Sequence, residues 1–452
     1  MKQGFELRDY QKKDLEFALS RDRSLNLSDP STGKTFVMTR LMWLRYLMFG
    51  CKSVWVMPTS IMRKNEDDIF DSTDFTKDDV CIVSGNKEKR LKLYKNENIK
   101  VFIISADTYA REWSILLENQ PEINQVVADE VHAYWSTTSS KRTQAMYASS
   151  RRIKWWYFAS GSLINGRFSS AYPAIAVCEP RFYMNYQNFI NYHAVYNAWG
   201  QICGWGRPEK LRKIFQMIGV RHTISECYPN NPEFIVIPEK AEMDENLKSN
   251  YLQIEQEALL ELEDRNLDLG NPMVKATRAR LLLSAPESLN LERKVQFNGK
   301  DNLLRLHLEN AKEEGARILV FSCFVAEQER TKNICDEMGI KSAIMNGSVS
   351  QKKRGEIDVA FRSNEIQVLI CSPEVASYGL NYEFCKEICY LSIPYQDGTW
   401  NQSIMRISRG TRKTPALVYI LTYGTKCESR IIQIVKRKMR EFKSVFRLTD
   451  ES

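Results

Sequence analysis

The sequence predicts an α/β protein with two lobes, each built on a parallel sheet, and a mainly helical insert between the lobes. Two series of short apolar runs carry this prediction, and polar stretches with helical spacing separate the runs in both series. Short runs of β-branched and aromatic residues that alternate with helices are typical of the buried strands of a parallel sheet. The length of 452 residues is sufficient for roughly two to four domains.

The positions of the apolar runs divide the chain into three parts. These are a first lobe at residues 1–165, a helical insert and linker at residues 166–300, and a second lobe at residues 301–452. The strands of the first lobe are predicted at residues 53–57, 80–84, 100–105, 125–129 and 155–160. Those of the second lobe are predicted at residues 318–322, 342–345, 367–371, 387–391 and 416–421. The insert contains a predicted charged, amphipathic helix at residues 247–263.

The composition argues against several classes of protein. No apolar stretch approaches the roughly 18 residues that a membrane helix requires, and charged residues close to the N-terminus argue against a signal peptide. Eleven cysteines without a C-x-x-C spacing argue against a disulfide scaffold or a zinc ribbon and favour a reducing cytoplasm. The four histidines are too far apart in the sequence for a typical histidine metal site.

The net charge of +8 is concentrated towards the end of the chain. Residues 404–447 contain twelve Lys and Arg residues against two Asp and Glu residues, which is a net charge of +10. A basic surface of this kind indicates a polyanionic partner, and a solvated helix face is the alternative explanation. Lys436 and Lys438 lie in a predicted helix of this segment and are candidates for contacts with nucleic-acid phosphates.

A phosphate-binding loop is predicted at residues 28–35. This segment follows a short apolar stretch, precedes a helix, and fits the pattern G-x-x-x-x-G-K-[ST] except that Ser28 replaces the first glycine. In such a loop the backbone N–H groups surround the phosphates, the lysine neutralises phosphate charge and the hydroxyl coordinates Mg²⁺. The nucleotide-binding residues predicted from this pattern are Ser31, Thr32, Gly33, Lys34 and Thr35. A Gly-Lys-Thr sequence that merely begins a helix is the alternative.

Two adjacent carboxylates end a hydrophobic strand about 95 residues after the predicted loop. Asp129 at a strand end is suited to hold the Mg²⁺ of a bound nucleotide, and Glu130 is suited to polarise the attacking water. A solvated strand end is the alternative for such a pair. Because the pair follows a phosphate-binding loop, nucleotide hydrolysis is the favoured interpretation, and His132 is expected to lie in the same cleft.

A third group of polar residues lies in the second lobe. Gln402, Arg406 and Arg409 are spaced so that the two arginines share one face of a helix. Two guanidinium groups on that face can meet the charge that develops on a γ-phosphate, and a solvated face is the alternative. Arginines that reach the nucleotide from a second lobe make hydrolysis depend on closure of the lobes.

These three motifs, in this order, resemble those of superfamily 2 helicases and translocases of the DExH type, and finer features are similar to the Swi/Snf-related branch. The DExH box matches Asp-Glu-Val-His at residues 129–132, and residues 7–11 resemble the adenine-reading segment, with Gln11 at the base. The resemblance covers about residues 5–165 and 300–435. It implies two RecA-like lobes with an ATP cleft between them, ATP and Mg²⁺ as cofactors, and Gly379 of motif V at the nucleotide.

The same resemblance implies the residues that contact the DNA backbone. They lie in segments similar to motifs Ia, Ib, III, IV and V and in the stretch after motif IV. These residues are Pro58, Thr59, Ser105, Ser160, Ser162, Ser322, Asn346, Gly347 and Ser377.

The predicted insert is similar to that of fork-remodelling, annealing helicases. Its most distinctive part is a glycine-flanked loop that contains Trp199, Trp205 and Arg207. Aromatic residues in such a loop can stack on bases or act as a wedge at a junction, whereas packing in a core is the alternative.

Together, these features predict an ATP-dependent DNA helicase or translocase that acts on branched or forked DNA in replication, recombination or repair. The resemblance extends to bacteriophage branch-migration helicases, and the expected location is the cytoplasm of a bacterium or a phage-infected host, with no membrane partner. Three alternatives remain: a double-stranded DNA translocase that does not separate strands, an RNA helicase, and a DNA-binding switch that binds ATP without turnover.

Overall fold

The chain folds into two compact units. The computed structural model describes residues 6–164, 167–230, 234–263, 274–289, 291, 294–376, 382–385, 387–395, 397–404 and 414–434. The first unit contains the described residues up to Val195 together with Gly204–Pro229. The second contains Tyr196–Cys203 together with the described residues from Asn230 onward.

The strands are short, and several of them consist entirely of buried residues. In chain order they are β1 (Arg23–Asn26), β2 (Lys52–Val56), β3 (Val80–Ile82), β4 (Val101–Ile104), β5 (Ile123–Asp129), β6 (Trp155–Ala159), β7 (Ala194–Tyr196), β8 (Ile202–Trp205), β9 (Gly219–Val220), β10 (Ile235–Lys240), β11 (Ile318–Phe321), β12 (Ser342–Met345), β13 (Val368–Cys371), β14 (Glu387–Tyr390) and β15 (Leu417–Thr422).

Helices connect most of these strands. They are α1 (Asp9–Leu19), α2 (Lys34–Phe49), α3 (Met62–Ser72), α4 (Lys87–Tyr94), α5 (Ala106–Asn119), α6 (Lys141–Ser149), α7 (Tyr172–Cys178), α8 (Tyr186–His193), α9 (Pro208–Ile218), α10 (Ile224–Cys227), α11 (Glu245–Glu263), α12 (Val274–Ser284), α13 (Gly299–Glu314), α14 (Val325–Glu337), α15 (Gln351–Arg362), α16 (Pro373–Ala376) and α17 (Asp397–Ile404). Short 3-10 turns occur at Thr59–Ile61, Val131–Ala133, Phe168–Ala171 and Pro286–Ser288.

The first unit is built on a parallel sheet in the order β3-β4-β2-β5-β6-β1-β9. Its strands are buried on both faces, which is why Val54, Trp55 and Val56 are consecutive apolar residues without alternation. Strand β6 lies between β1 and β5 and pairs with both. The carboxyl ends of these three strands therefore meet at one edge of the sheet, where ligands bind in open α/β sheets.

The second unit contains another parallel sheet, in the order β10-β15-β14-β11-β13-β12. Leu319, Phe321, Leu369 and Ile388 belong to one of its fully buried hydrophobic clusters. A further cluster includes Leu247 and packs residues of α11 and α12 together. Among the described residues, no helix combines the length and apolar character that crossing a bilayer requires.

The predicted α/β fold class is confirmed, because both halves of the chain contain a parallel sheet whose strands are mostly connected by helices. Each predicted strand corresponds to an observed one. Five observed strands are absent from the prediction. Strand β1 overlaps the apolar stretch at residues 24–27, and β7, β8, β9 and β10 lie in the part that was predicted to be mainly helical. Strands β7 and β8 pair with each other, β9 has two residues, and β10 pairs with the distant β15. The residues predicted as one insert are divided between the two units, since β9 joins the first sheet and β10 joins the second.

Candidate nucleotide-binding site

The predicted phosphate-binding loop connects β1 to the 16-residue helix α2. Two of its residues have positive φ angles, Ser31 at 70° and Gly33 at 79°. Gly33 is the residue before the helix and tolerates this backbone conformation because it has no Cβ atom. The loop therefore leads directly into a helix N-terminus, whose unpaired N–H groups favour a bound anion.

The side chain of Lys34 is buried inside this loop. Its Nζ donates hydrogen bonds to the carbonyl oxygens of Ser28 at 2.7 Å and Asp29 at 2.9 Å. Burial lowers the pKa of Lys34, while the charges of Glu130 and Asp129 act in the opposite direction. The ammonium group therefore lies close enough to the two predicted catalytic carboxylates to interact with their charges.

The two carboxylates follow each other at the carboxyl end of β5. Asp129 is buried, and its Oδ1 accepts a hydrogen bond of 2.9 Å from the N–H of Glu130. Burial raises the pKa of Asp129 to about 7; the charge of Glu130 acts in the same direction and that of Lys34 opposes it. Glu130 has a φ of 52°, a left-handed conformation that is uncommon for residues other than glycine and that clusters at functional sites.

His132 links the carboxylates to the neighbouring strand. Its Nδ1 shares a hydrogen bond of 2.8 Å with Oγ of Ser160, which follows β6, and lies 3.3 Å from Oε2 of Glu130. Burial lowers the pKa of His132 to about 4, so the imidazole is neutral at pH 7. The prediction that His132 lies beside the carboxylates is therefore in agreement with the geometry.

The residues at this edge fit a nucleotide with a bound divalent cation. Asp129 is a desolvated carboxylate next to a second carboxylate, an arrangement that a cation stabilises. No group of three His, Cys, Asp or Glu side chains suited to a metal is found in the part of the chain that the structure describes. Mg²⁺ usually takes one or two carboxylates and completes its shell with water and substrate phosphates, so this site suits Mg²⁺ bound together with a nucleotide. Thr35, half-buried in the first turn of α2, is the predicted hydroxyl ligand.

Gln11 contacts the phosphate-binding loop from helix α1. Its Nε2 donates to the carbonyl oxygens of Thr32 and Gly33, each at 3.3 Å, and its Oε1 accepts from the N–H of Arg8 at 2.9 Å. Tyr10 adds a hydrogen bond of 2.8 Å from its hydroxyl to the carbonyl of Thr32. The side chain predicted to read adenine therefore also holds the loop, and its contact with a base stays a prediction.

Most of the predicted DNA-contacting residues of the first unit follow the carboxyl ends of its strands. Pro58 is half-buried and Thr59 is exposed after β2, and Ser105 follows β4 and caps helix α5 by accepting a hydrogen bond from the N–H of Thr108. Ser160 and Ser162 are both buried. DNA contacts at these positions stay predictions.

In the second unit the predicted contacts differ in exposure. The hydroxyl of Ser322 is buried and donates to Glu327 at 2.5 Å. Asn346 is also buried and donates to Oε1 of Gln328 at 2.8 Å, whereas Gly347 is exposed. Gln402 lies in α17, and its side chain is not described. Six further predicted site residues lie outside the described residues: Ser377, Gly379, Arg406, Arg409, Lys436 and Lys438.

The two tryptophans of the glycine-flanked segment have different surroundings. Trp199 is 83% exposed, so it is not part of a core. Trp205 stacks on Phe168 at a ring distance of 6.0 Å and approaches Phe189 at 6.4 Å. These contacts agree with the alternative explanation for Trp205, packing in a core. Base stacking by Trp199 stays a prediction.

Two residues that support the site are not among those predicted from the sequence. Asn65 of α3 lies 3.5 Å from Oδ2 of Asp129, and Asp14 of α1 lies 3.3 Å from Nδ2 of Asn26, at the end of β1. Neither belongs to a recognisable motif, and Asn65 is 64 positions away from its partner. No local pattern in the sequence marks either contact.

We expect Gly33→Ala to weaken ATP binding, whereas Gly50→Ala should not. Both glycines have positive φ angles, 79° and 64°, so each alanine costs roughly 1–2 kcal/mol of backbone strain. A Cβ atom on Gly33 would lie 2.2 Å from Nε2 of Gln11, but a Cβ atom on Gly50 meets nothing within 4 Å. Calorimetric titration with ATP and urea unfolding of both variants separate the two effects. Equal ATP affinities would contradict the assignment of the loop.

The pH dependence of stability offers a test of the buried groups. The pKa of Asp129 is raised from 3.8 to about 7, so its contribution to the free energy of unfolding is present below pH 3.8 and is lost as pH rises towards 7. The pKa of His132 is lowered from 6.5 to about 4, so its contribution is present above pH 6.5 and is lost as pH falls towards 4. Between about pH 4 and 6.5, Asp129 therefore makes the free energy of unfolding fall as pH rises, and His132 makes it rise.

Asp129→Asn removes only the decrease in the free energy of unfolding that Asp129 causes as pH rises. We therefore expect the free energy of unfolding of this variant to rise more steeply with pH than that of the unmodified chain between pH 4 and 6.5. Urea unfolding at several pH values without nucleotide measures this difference. Identical pH profiles would show that Asp129 titrates near its ordinary value.

Comparisons with known proteins agree with the sequence motifs. Residues 299–411 match the family described as helicase conserved C-terminal domain. The DNA repair protein RAD5 of Mycosarcoma maydis is 25% identical over 175 residues, which is 37% of this chain and 13% of that protein. The chromodomain-helicase-DNA-binding protein 3 homolog of Caenorhabditis elegans is 20% identical over 430 residues, 89% of this chain and 23% of that protein.

A helicase and a solved structure are also similar to this chain. The ATP-dependent rRNA helicase RRP3 of Candida albicans is 26% identical over 143 residues, 31% of this chain and 26% of that protein. This chain thus spans about a quarter or less of the length of these curated relatives. A solved structure, the Sulfolobus solfataricus SWI2/SNF2 ATPase core in complex with dsDNA, aligns over 98% of this chain and 93% of that chain, with 17% identity and a TM-score of 0.43.

The matches combine a helicase domain in the second half of the chain with similarity over most of its length to a chromodomain helicase. The resemblance that the motifs indicate is confirmed at this level. The chain is similar to superfamily 2 helicases of the Swi/Snf-related branch, a class of ATP-hydrolysing enzymes, and its residues 299–411 match the helicase conserved C-terminal domain.

Proposed function

We propose that this chain is an ATP-driven DNA motor that acts as a helicase or translocase on branched or forked DNA. One observation carries the proposal. The buried Lys34, inside a phosphate-binding loop, interacts electrostatically with the buried Asp129 and the adjacent Glu130, and His132 connects Glu130 to Ser160 at the end of the next strand.

Each group at the edge of the first sheet has a role in the proposed hydrolysis. The loop N–H groups and Lys34 bind the β- and γ-phosphates, and Thr35 and Asp129 hold Mg²⁺. The metal, when bound, neutralises the charge of the phosphate oxygens. Glu130, as an ionised carboxylate, orients the attacking water and accepts its proton. The water oxygen bonds to the γ-phosphorus while the bond from that phosphorus to the bridging oxygen breaks, and ADP leaves.

The second lobe completes the proposed site. Gln402, Arg406 and Arg409 are proposed to approach the γ-phosphate when the lobes close. A guanidinium group stays charged in a dry site, so two of them stabilise the charge that develops on the transferred phosphoryl group. Because these groups come from the other half of the chain, turnover is proposed to depend on lobe movement, as a motor requires.

The bond between His132 and Ser160 supports coupling of hydrolysis to DNA. His132 lies 3.3 Å from the carboxylate of Glu130, and Ser160 belongs to the segment that is predicted to contact DNA. A change of charge at Glu130 alters the hydrogen-bonding role of the neutral imidazole. The changed hydrogen bond between the imidazole and Ser160 then alters the position of the residues after β6.

The names of two relatives support DNA as the substrate, since they describe a DNA repair protein and a DNA-binding chromodomain helicase. The similarity to an rRNA helicase favours an RNA helicase as the second candidate. The relatives named are fungal and nematode proteins, so a bacterial or bacteriophage origin, and a cytoplasmic location, rest on the sequence features alone.

The test measures ATP hydrolysis and strand separation by the full chain. We expect DNA to stimulate hydrolysis, and forks, flaps or four-way junctions to be unwound or branch-migrated in preference to linear duplexes. Stimulation by DNA without separated strands would instead indicate a double-stranded DNA translocase. Preferential stimulation and unwinding by RNA duplexes would favour the second candidate, and the absence of hydrolysis with either nucleic acid would leave a non-hydrolysing switch.

A further inference from the structure

The segment Gly219–Tyr228 lies against the phosphate-binding loop, although more than 190 positions separate Arg221 from Asp29 in the sequence. We propose that Arg221 in this segment is a positioning residue for ATP: it holds Asp29 so that its carboxylate does not oppose the bound phosphates. The inference rests on the proposed function, because it assigns a residue that controls the proposed ATP site.

The backbone of the segment continues the pairing of β9 with β1 into the loop. The N–H of Leu27 donates to the carbonyl of Val220 at 2.8 Å, and the N–H of Asp29 donates to the carbonyl of His222 at 2.9 Å. The N–H of His222 donates to Oγ of Ser28 at 3.0 Å. Residues 27–29 therefore form successive hydrogen bonds with residues 220–222, which lie outside the phosphate-binding motif.

The side chain of Arg221 adds two directed contacts. Its Nη1 donates to the carbonyl of Leu27 at 2.9 Å, and its Nη2 donates to Oδ1 of Asp29 at 3.1 Å. The other carboxylate oxygen of Asp29 accepts from the N–H of Ile224 at 3.2 Å. Both oxygens of Asp29 are thereby turned towards the segment. The side chains of the pair are only 13% and 23% exposed, so solvent screens their charges weakly.

Asp29 is directly connected to the group that binds phosphate. Its carbonyl oxygen is one of the two acceptors of Lys34 Nζ. The charge of Asp29 raises the pKa of Lys34 and the charge of Arg221 lowers it, which indicates that both charges reach the ammonium group. Without Arg221, the carboxylate of Asp29 would lose its guanidinium partner and would lie next to the proposed triphosphate site, and Coulomb repulsion would oppose ATP binding.

The test compares three variants in the full chain with nucleic acid present. We expect Arg221→Ala to raise KM for ATP about tenfold with a smaller change in kcat, since the carboxylate acts on binding. Arg221→Lys should restore KM in part, because it returns the charge without the second hydrogen bond. The double variant with Arg221→Ala and Asp29→Asn should return KM to within about threefold of the unmodified chain, because the opposing charge is gone.

Arg23→Ala is the matched control. Arg23 also donates to two carbonyl oxygens in the first unit, those of Val177 at 2.7 Å and Ser150 at 2.6 Å, but it makes no contact with the loop in these hydrogen bonds. We expect this control to lower the thermal unfolding temperature without raising KM. Calorimetric titration of each variant with ATP provides a readout that does not depend on turnover.

The outcomes separate the inference from the proposed function. If the unmodified chain hydrolyses no ATP, the proposed function fails. If it hydrolyses ATP and Arg221→Ala has an unchanged KM, or if the double variant is no better than Arg221→Ala, the inference is overturned. Should Arg221→Ala not fold, Asp29→Asn alone decides: an unchanged or lower KM supports the inference, and a higher KM assigns the pair a purely structural role.

Discussion

Replacing Lys34 with alanine is expected to lower ATP turnover roughly 10²- to 10³-fold and to weaken ATP binding. Lys34 is the cation inside the phosphate-binding loop, and its charge opposes the rise in the pKa of Asp129. Without it, the phosphates lose a charge-assisted hydrogen bond and the carboxylates lose a counter-charge. Steady-state hydrolysis with nucleic acid present, together with calorimetric titration with ATP, measures both effects.

Lys52→Ala is the matched control for this experiment. Lys52 and Lys34 are both 8% exposed, and Lys52 Nζ donates to the carbonyl of Glu97 at 2.8 Å and to Gln120 at 2.7 Å. Both alanine variants therefore remove a buried ammonium group that is bonded to the protein. Lys52→Ala should reduce stability while ATP binding persists. If the two variants lost ATP binding equally, Lys34 would have no specific role at the nucleotide.

Replacing Glu130 with glutamine is expected to preserve ATP binding and to lower turnover roughly 10²- to 10⁴-fold. The amide keeps the shape of the side chain but cannot accept the proton of the attacking water. Removing the charge also lowers the pKa of the adjacent Asp129, since Glu130 raises it. Binding of Mg²⁺ with ATP should therefore become less sensitive to pH near 7. The bound, unhydrolysed state should accumulate, which retention of labelled ATP after gel filtration detects.

The control for this variant is Glu112→Gln. Glu112 is a buried carboxylate of the same unit, and it accepts hydrogen bonds from Arg90 and from the hydroxyl of Tyr94 at 2.7 Å. Its replacement should lower the free energy of unfolding and leave the turnover number close to that of the unmodified chain. Normal hydrolysis by Glu130→Gln would remove Glu130 from the proposed mechanism. A loss of ATP binding would instead give it a structural role.

The fold was predictable because the strands of both sheets are encoded locally. Residues 101–104 and 368–371 are continuous apolar runs, and a parallel sheet covered on both faces requires such runs. The short strand β9 is not marked by an apolar run. Its two residues follow helix α9 and join the sheet by pairing with β1. Strand β10 is likewise partly exposed and defined by its pairing with β15.

The candidate site was predictable where its residues belong to one continuous segment. Lys34 and Asp129 follow directly from motifs that end a strand and begin a helix or turn. By contrast, the side chain of Gln11 is turned onto the loop carbonyls, and Asn65 lies beside Asp129. Those contacts depend on how helices α1 and α3 pack on the sheet, and a pattern of neighbouring residues does not specify that packing.

The sequence by itself determines the α/β class, the phosphate-binding loop and the pair of carboxylates, because each depends on hydrophobic periodicity or spacing within a few residues. Only the tertiary structure decides that Arg221 holds Asp29 and that His132 bonds Ser160. The physical reason is that these contacts join residues 192 and 28 positions apart. Their energies depend on burial and distance, which arise when the strands are placed side by side in one sheet.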